Sequence, residues 1–318
     1  MSAASETVAG AKRALTYALV TPARDEAANL RRLAECVFSQ ARPPAAWVIV
    51  DNGSVDDTVG VGETLARDHS SVRLMRIPAA GRTERGGPPV VAFVAGVDAL
   101  GPLPDIVVKL DADVSFSHDF FDRLVSRFEE DARLGIASGL CLELDDGVWT
   151  PTYSTRSHAR GATRAYRRGC FASVSPLEAE VSWDSVDELR ARAAGWIVAT
   201  LPDIPFYHHR KWRTRDGRMR SWFRYGLMSH RLGYRPSYLL MRAGYRMAQD
   251  PAAVALVGGY LVAVARRRAR HPDENLRYVL RDEQRLRHVR RRYREALGHT
   301  GEIDGGDVAV TAHGDPRS

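Results

Sequence analysis

The chain has 318 residues, of which 44% are apolar and 27% charged, and a net charge of +7. This is ordinary for a soluble globular protein with a large core; the longest apolar stretch, Pro251 to Ala265, falls short of the roughly 20 residues that span a bilayer. The charge is uneven, with 23 Lys/Arg against 7 Asp/Glu between His208 and Thr300, so the strand-rich first part is net acidic and the last third faces an anionic partner.

Residues 1–13 are small and polar and read as a disordered N-terminus without a signal peptide. Leu15 to Val20 reads as a first strand. Thr21-Pro22-Ala23-Arg24-Asp25-Glu26 follows, with Asp25 or Thr21 opening a helix whose Leu30, Leu33, Val37 and Phe38 share a face. Cys36 on that helix reads as core. Trp47 to Val50 is a second strand, ending at Asp51-Asn52-Gly53-Ser54, and Ser54, Asp56 and Asp57 suit a helix start running to about His69. Val72 to Ile77 is a third strand. Gly81 to Pro89 is a basic loop, and Val90 to Leu100 a helix. The next strand ends in Lys109-Leu110-Asp111-Ala112-Asp113. Beyond it the pattern predicts a helix over Phe116 to Glu130, a strand over Ile136 to Leu144, and a basic loop over Gly161 to Phe171 leading into a strand. A helix opened by Trp183-Asp184 and closed by Gly195, then a strand over Trp196 to Thr200, complete the compact part. Cys36, Cys141 and Cys170 form no zinc pattern and no disulfide framework, which fits a reducing, cytoplasmic compartment.

The alternation of strands and helices predicts an α/β fold with a mostly parallel sheet covered on both faces. Such sheets bind ligands beyond the carboxyl ends of their strands. Three of those ends here carry acids or polar turns: Thr21 to Glu26, Asp51 to Ser54, and Asp111 to Asp113. Two carboxylates one residue apart are costly without a cation, because like charges raise each other's pKa. A hard divalent ion, Mg²⁺ or Mn²⁺, relieves the cost and completes its shell with phosphate oxygens. The alternative is a solvated turn that caps the next helix. No Gly-x-Gly-x-x-Gly and no phosphate-loop lysine motif follows the first strand.

These pieces, in this order, resemble a bacterial family 2 glycosyltransferase with the GT-A fold, over about Leu15 to Lys211. The carriers are Thr21 to Glu26, Asp51 to Thr58, the loop around Arg82 to Gly87, Asp111-Ala112-Asp113, Asp184, and His208-His209-Arg210. The resemblance implies that Pro22, Ala23, Glu26 and Asp51 line the nucleoside pocket, with Arg82 or Arg85 near the nucleotide. It implies that Asp113 ligates the metal, with Asp111 helping ribose or metal-bound water, and that His208 or His209 helps hold metal or diphosphate. Asp184 matches the general base of inverting members; Trp183 stands where a glutamate is usual, and Asp187 is next in line as base. The implied division is a GT-A domain over 14–211, a basic helical extension over 212–298 and a disordered tail over 299–318.

The implied activity moves a sugar from a nucleotide-diphosphate sugar, UDP by default, to a glycan or lipid-linked hydroxyl in polysaccharide or glycolipid synthesis. A sugar nucleotidyltransferase would share the acidic sheet edge but would carry a glycine-rich basic loop after the first strand. An inactive sugar-nucleotide-binding scaffold is the non-enzymatic reading. Arg164, Arg167 and Arg168 face either an acidic acceptor or diphosphate, or solvent as a basic loop. The basic last third reads as a helix on the inner face of an anionic membrane, as a helix packed on the catalytic domain, or as a homo-dimer contact; without a recognised module, nucleic acid is not expected. Arg277 to Arg294 reads as a charged, solvated helix.

Overall fold

The computed structural model describes residues 14–78, 87–152, 156–180, 183–210 and 217–285. Its first half runs β1 Tyr17–Ala23, α1 Ala27–Phe38, β2 Ala46–Asp51, α2 Thr58–Asp68, β3 Val72–Arg76, α3 Gly87–Ala99 and β4 Ile106–Leu110. It continues with β5 Val114–Phe116, α4 Phe120–Glu130, β6 Leu134–Asp145, β7 Val148–Pro151, β8 Thr163–Arg167, α5 Arg168–Val174, α6 Trp183–Ala193 and β9 Ile197–His208. The helical part is α7 Arg218–Arg231, α8 Pro236–Met247, a 3₁₀ turn Pro251–Ala253, α9 Val254–Ala265 and α10 Glu274–Glu283.

The fold class is α/β, as expected. One nine-stranded sheet runs β3-β2-β1-β4-β8-β6-β9-β5, with β7 on β6. The strands β3, β2, β1 and β4 are parallel. The other half is mixed: β8 is antiparallel to β4 and β6, and β5 to β9, while β6 and β9 run parallel. Side chains alternate through the sheet. Leu19, Ile49 and Val108 enter one core with Leu30 and Leu33 of α1 and Phe120 to Phe128 of α4. Val20, Val48, Val50 and Val107 enter the other, with Phe93 of α3, Phe171 of α5 and Trp183 of α6. This is the two-sided burial that makes parallel strands read as continuous apolar runs.

Within the parallel half, chain order and strand order diverge at one place. From β1 the chain steps outward to β2 and β3, then returns to the other side of β1 as β4. The β1–β4 gap is therefore a topological switch point, where ligands of such sheets bind. Pro22 and Ala23 end one of its strands, and Asp111 follows the other.

Several local expectations are corrected. The segment around Gly161 to Phe171 is not a basic loop: Thr163–Arg167 is β8, inside the sheet, and Arg168–Val174 is helix α5. Its arginines face neither acceptor nor solvent as a group. Arg164 is buried, and Arg167 donates to the Leu134 and Asp131 carbonyls at 2.9 and 3.0 Å. The last strand reaches from Ile197 to His208 rather than stopping at Thr200. Cys36 is half-buried against the first core.

Neither Asp25 nor Thr21 caps α1. Thr21 is buried and accepts from the Trp47 indole at 2.9 Å. Asp25, with a φ of +56°, accepts from the Val55 N–H at 2.7 Å. The cap comes from the next loop: Asp56 Oδ2 accepts from Ala27 N–H at 3.1 Å and Oδ1 from Thr58 N–H at 2.9 Å, so one carboxylate serves two helix starts.

The helical part has its own core of Trp222, Leu239, Leu256 and Tyr260. It is joined to α6 by a second cluster, in which Leu232, Leu276 and Leu280 meet Val186 and Leu189. α10 is thus docked, not merely solvated. The residues beyond 285, the N-terminal 1–13 and the tail lie outside the described residues. Among the described residues no helix is long and apolar enough to cross a membrane.

Candidate active site

β4 ends with a buried lysine. Lys109 pairs with Asp111 and donates to the Gly161 carbonyl at 3.0 Å, while Asp111 N–H donates to Ala162 O at 2.8 Å. Asp111 is therefore held by β4 and the approach to β8. Asp113 is turned elsewhere. It precedes β5, whose Val114 pairs with His208 at the end of β9, and its carbonyl accepts from His209 N–H at 2.9 Å. That register sets His208 beside Asp113, Nε2 to Oδ1 at 3.4 Å. On the neighbouring strand β6, Glu143 pairs with His208, its Oε1 lying 3.6 Å from His208 Nδ1. Cys141, two residues back on the same face, completes a group whose Cys141, Glu143 and His208 ligand atoms lie within 4.8 Å of one another.

Burial alone would lower the His208 pKa, but hydrogen bonds to Asp113, Cys141 and Glu143 outweigh it and push it up to about 12. Burial would raise Asp113; His208 and Arg210 reverse this and hold it below the usual carboxylate range. The imidazolium is thus the cation that balances these acids. A divalent ion suits the Asp113 side of this place: Asp113 offers a hard oxygen and His208 Nε2 a borderline nitrogen, Glu143 stands at the other ring nitrogen, and metal binding would release the proton His208 now carries. The residues fit the group.

His209 is not part of this cluster. Strand alternation turns it to the other face, where its Nε2 meets Ser115 Oγ at 2.8 Å and its ring packs edge-on to Trp149. Burial and the nearby Arg32 lower its pKa to about 4.

Arg210 joins the two sides of the switch point. It donates to Glu26 Oε1 at 2.5 Å and lies 3.3 Å from Asp113 Oδ2. Glu26, buried, also accepts from Asn29 at 2.5 Å. Both of its oxygens are engaged in holding this frame. Pro22 is half-buried and Ala23 buried at the end of β1, where Ala23 pairs with Asp51. Asp51, buried at the end of β2, accepts from Ser54 N–H at 3.1 Å and has Arg76 Nε at 3.8 Å. Arg82 and Arg85 lie outside the described residues.

Asp184 sits half-buried in the first turn of α6. Its carbonyl accepts from Arg164 Nη2 at 2.9 Å. Arg164 is fully buried and also holds Asp187 at 2.6 Å and Glu188 at 3.1 Å. Asp187 is 1% exposed and bonded to Tyr166 as well, so it is enclosed in this network while Asp184 stands at its edge. The two buried acids are driven apart. Burial pushes Asp187 up to about 7, despite Arg164. Burial would also raise Glu188, but His158 and Arg164, with Arg192, hold it at about 2. Trp183, in the place of the family's usual glutamate, lies with its ring 5.7 Å from Lys109 Nζ and 5.4 Å from the Arg164 guanidinium carbon, roofing both cations.

Sequence reading missed Glu143, Cys141 and Arg76. Glu143 and Cys141 show only as alternate residues of a strand, and their partner in β9 is over sixty residues away. Arg210 follows the two histidines in the sequence, where no local signal shows its partners Glu26 and Asp113.

The parallel sheet with its switch point, the acidic β4–β5 turn and the mixed second half define the class: a GT-A glycosyltransferase fold. Residues 18–166, just under half of the chain, match the family model Glycosyl transferase family 2. Among solved structures it is similar to the mannosyltransferase PcManGT from Pyrobaculum calidifontis in complex with GDP-Man and Mn²⁺. The identity is 15%, the TM-score 0.54, and 91% of this chain and 86% of that one are covered. It is also similar to S. aureus TarS 1-349 in complex with UDP-GlcNAc, at 13% identity and TM-score 0.51, covering 70% of this chain and 68% of that one. A third is GalNAc-T7 with UDP, GalNAc and Mn²⁺, at 15% identity and TM-score 0.50. There 63% of this chain covers 45% of the other, just under half its length. At these identities the likeness is one of fold. No curated protein sequence matches the chain.

Proposed function

We propose that the protein is an inverting, divalent-metal-dependent glycosyltransferase that moves a sugar from a nucleotide-diphosphate donor to a hydroxyl of a glycan or lipid-linked acceptor. The observation that carries this is the convergence at the switch point. Asp113, His208 and Arg210 gather at one edge, and Lys109, paired with Asp111, lies against the ring of Trp183, which opens the helix that carries Asp184. Pro22, Ala23 and Asp51, at the ends of β1 and β2, are the proposed nucleoside wall, with Arg76 beside Asp51. The Mn²⁺ in the PcManGT and GalNAc-T7 complexes and the GDP-Man, UDP and UDP-GlcNAc in the neighbours support a sugar nucleotide with Mg²⁺ or Mn²⁺ here. UDP-sugars are the first donors to test.

Asp113 and His208 would hold the metal, with Glu143 behind His208. Bound there, the metal would supply charge stabilisation for the leaving diphosphate. Asp111, tied to Lys109, is the proposed helper to the ribose. Arg210 locks Asp113 to the β1–α1 turn and adds a fixed positive charge to the clamp. Asp184 takes the proton of the acceptor hydroxyl as the new bond forms. Arg164, bonded to its main chain, holds the turn that aims it.

The test is release of free nucleoside diphosphate from a panel of sugar nucleotides with Mn²⁺, using wild type and Asp184→Asn. The expected result is donor-dependent release by wild type, and by the variant intact donor binding with turnover reduced at least about a hundredfold. Retained transfer by Asp184→Asn removes the base assignment. No release from sugar nucleotides, with pyrophosphate released instead from a nucleoside triphosphate and a sugar 1-phosphate, would favour a nucleotidyltransferase, and no donor binding at all would sink both enzymes.

A further inference from the structure

Apart from the Tyr260 hydroxyl, which donates to the Tyr234 carbonyl, helix α9 carries no polar side chain along its length, Val254 to Ala265. One side of it is explained by packing. Leu256, Gly259, Tyr260 and Ala263 are buried, and Gly259 approaches α7 so closely that a Cβ would stand 2.0 Å from the Phe223 carbonyl oxygen. The other side is not. Val254, Leu261 and Val264 are 49%, 58% and 46% exposed, on one helical face. Helix α8, packed beside α9, does the same with Leu240 at 59%, and with Met241 and Met247. Single exposed apolar residues are ordinary, but large ones on the outer faces of two neighbouring helices mark an interaction surface.

The charges around this face identify what covers it. Arg266, Arg267, Arg268 and Arg270 follow α9 directly, and all are exposed. Between Arg218 and Arg270 the chain holds a single acid, Asp250. That acid is buried and bonded to Arg218 at 2.6 Å and to the Trp222 indole at 2.9 Å. A second copy of the chain docked through this same face would offer it apolar area but no acid for its arginines. A bilayer carrying anionic headgroups offers both.

We infer that the outer face of α8 and α9 docks on an anionic lipid surface, with the apolar side chains in the interface and the arginine run among the phosphates. The face is coupled to the catalytic part. Leu232, Leu276 and Leu280 pack on Val186 and Leu189 of α6. Glu178, before α6, binds Arg190 at 2.7 Å, Arg231 at 3.1 Å and His271 at 2.7 Å. Docking therefore sets the height of α6, and of Asp184 in its first turn, above the membrane. Resting on the glycosyltransferase reading, this selects a lipid-borne hydroxyl as acceptor; the docking itself does not depend on that reading.

The test is co-sedimentation of the full chain with vesicles of phosphatidylcholine alone and with added phosphatidylglycerol, at low and high salt. The expected result is binding to the phosphatidylglycerol vesicles only, reversed by salt. Replacing Arg266, Arg267 and Arg268 by Gln should weaken it about a hundredfold, and Leu261→Glu with Val264→Glu should abolish it. Nucleotide binding by both variants should match wild type, which separates docking from the donor site. Hydrogen exchange of the wild type should show vesicle-induced protection over 240–264, a readout independent of any variant. Absence of binding at low salt, unchanged binding by the double-glutamate variant, or no protection over that segment overturns the inference. So does a homo-dimer in ultracentrifugation that the glutamates dissolve while vesicles leave the wild type in solution.

Discussion

Replacing Arg164 by methionine removes the one cation lodged between Asp187 and Glu188 while keeping most of its volume. Arg164 is wholly buried, and its guanidinium serves both carboxylates and the Asp184 carbonyl at 2.6 to 3.2 Å. After the change Glu188 keeps His158 at 2.9 Å and Arg192 at 3.1 Å, but Asp187 keeps only Tyr166. Removing one partner of a buried ion pair costs about 3–5 kcal/mol, because the remaining charge stays in the low-dielectric interior. Domains of this size lose about 2 °C of Tm per kcal/mol, so the expected fall is about 6–10 °C. Circular dichroism melts measure it. Turnover should drop at least about tenfold with the donor Kd unchanged, since the turn that aims Asp184 loses its tether while the nucleoside wall is untouched. Adding Asp187→Leu should restore part of the Tm, because it removes the carboxylate left without its cation. A Tm shift under about 2 °C, or no recovery in the double variant, refutes the account of this network.

Asp113→Ala should abolish Mn²⁺-dependent nucleotide binding in calorimetry, and unchanged binding would withdraw its metal role. Glu188 carries an acid-stability signature. Its folded pKa, about 2, lies below its ordinary 4.5, so its stabilisation is complete above pH 4.5 and fades as pH falls toward 2. That loss is roughly 3 kcal/mol; urea melts at pH 6 and pH 3 should show a smaller pH difference in Glu188→Gln, and equal differences would refute it. Asp187 works in the other direction. Burial raises its pKa to about 7, so stability it adds when protonated is lost as pH rises through 7. Gly259→Ala should destabilise by about 1–3 kcal/mol or more, because its methyl meets backbone rather than a movable side chain. A Tm equal to wild type would show that α7 and α9 can part at no cost.

The fold class, and the edge that bears the proposed site, could be read from the sequence because they rest on local signals. Apolar runs such as Ile106 to Leu110 state a buried parallel strand by themselves, and the acids and polar turns at the ends of β1, β2 and β4 fall on one edge once the strands are parallel. Gly195, with a φ of +83°, marks the end of α6 for a purely backbone reason. In the sequence, Asp184 and Asp187 are separated only by the family resemblance; the structure leaves Asp184 half-buried and encloses Asp187.

Other features exist only as relations between distant segments. A histidine pair cannot say which member faces Asp113; the β5–β9 register does, and strand alternation then sends His209 to the opposite face. Arg164 and Arg167 look like solvated charges because composition reports polarity and not partners. Burial becomes affordable only where the fold brings Asp187, Glu188 and Tyr166 to one guanidinium. Asp56 caps α1 across two loops, and no window of sequence contains both the carboxylate's turn and the helix it serves as neighbours. Local periodicity is set by each segment's own residues, whereas pairing of charges, ligands and caps is set by which segments the sheet brings together. The residues of the proposed chemistry belong almost entirely to the second kind.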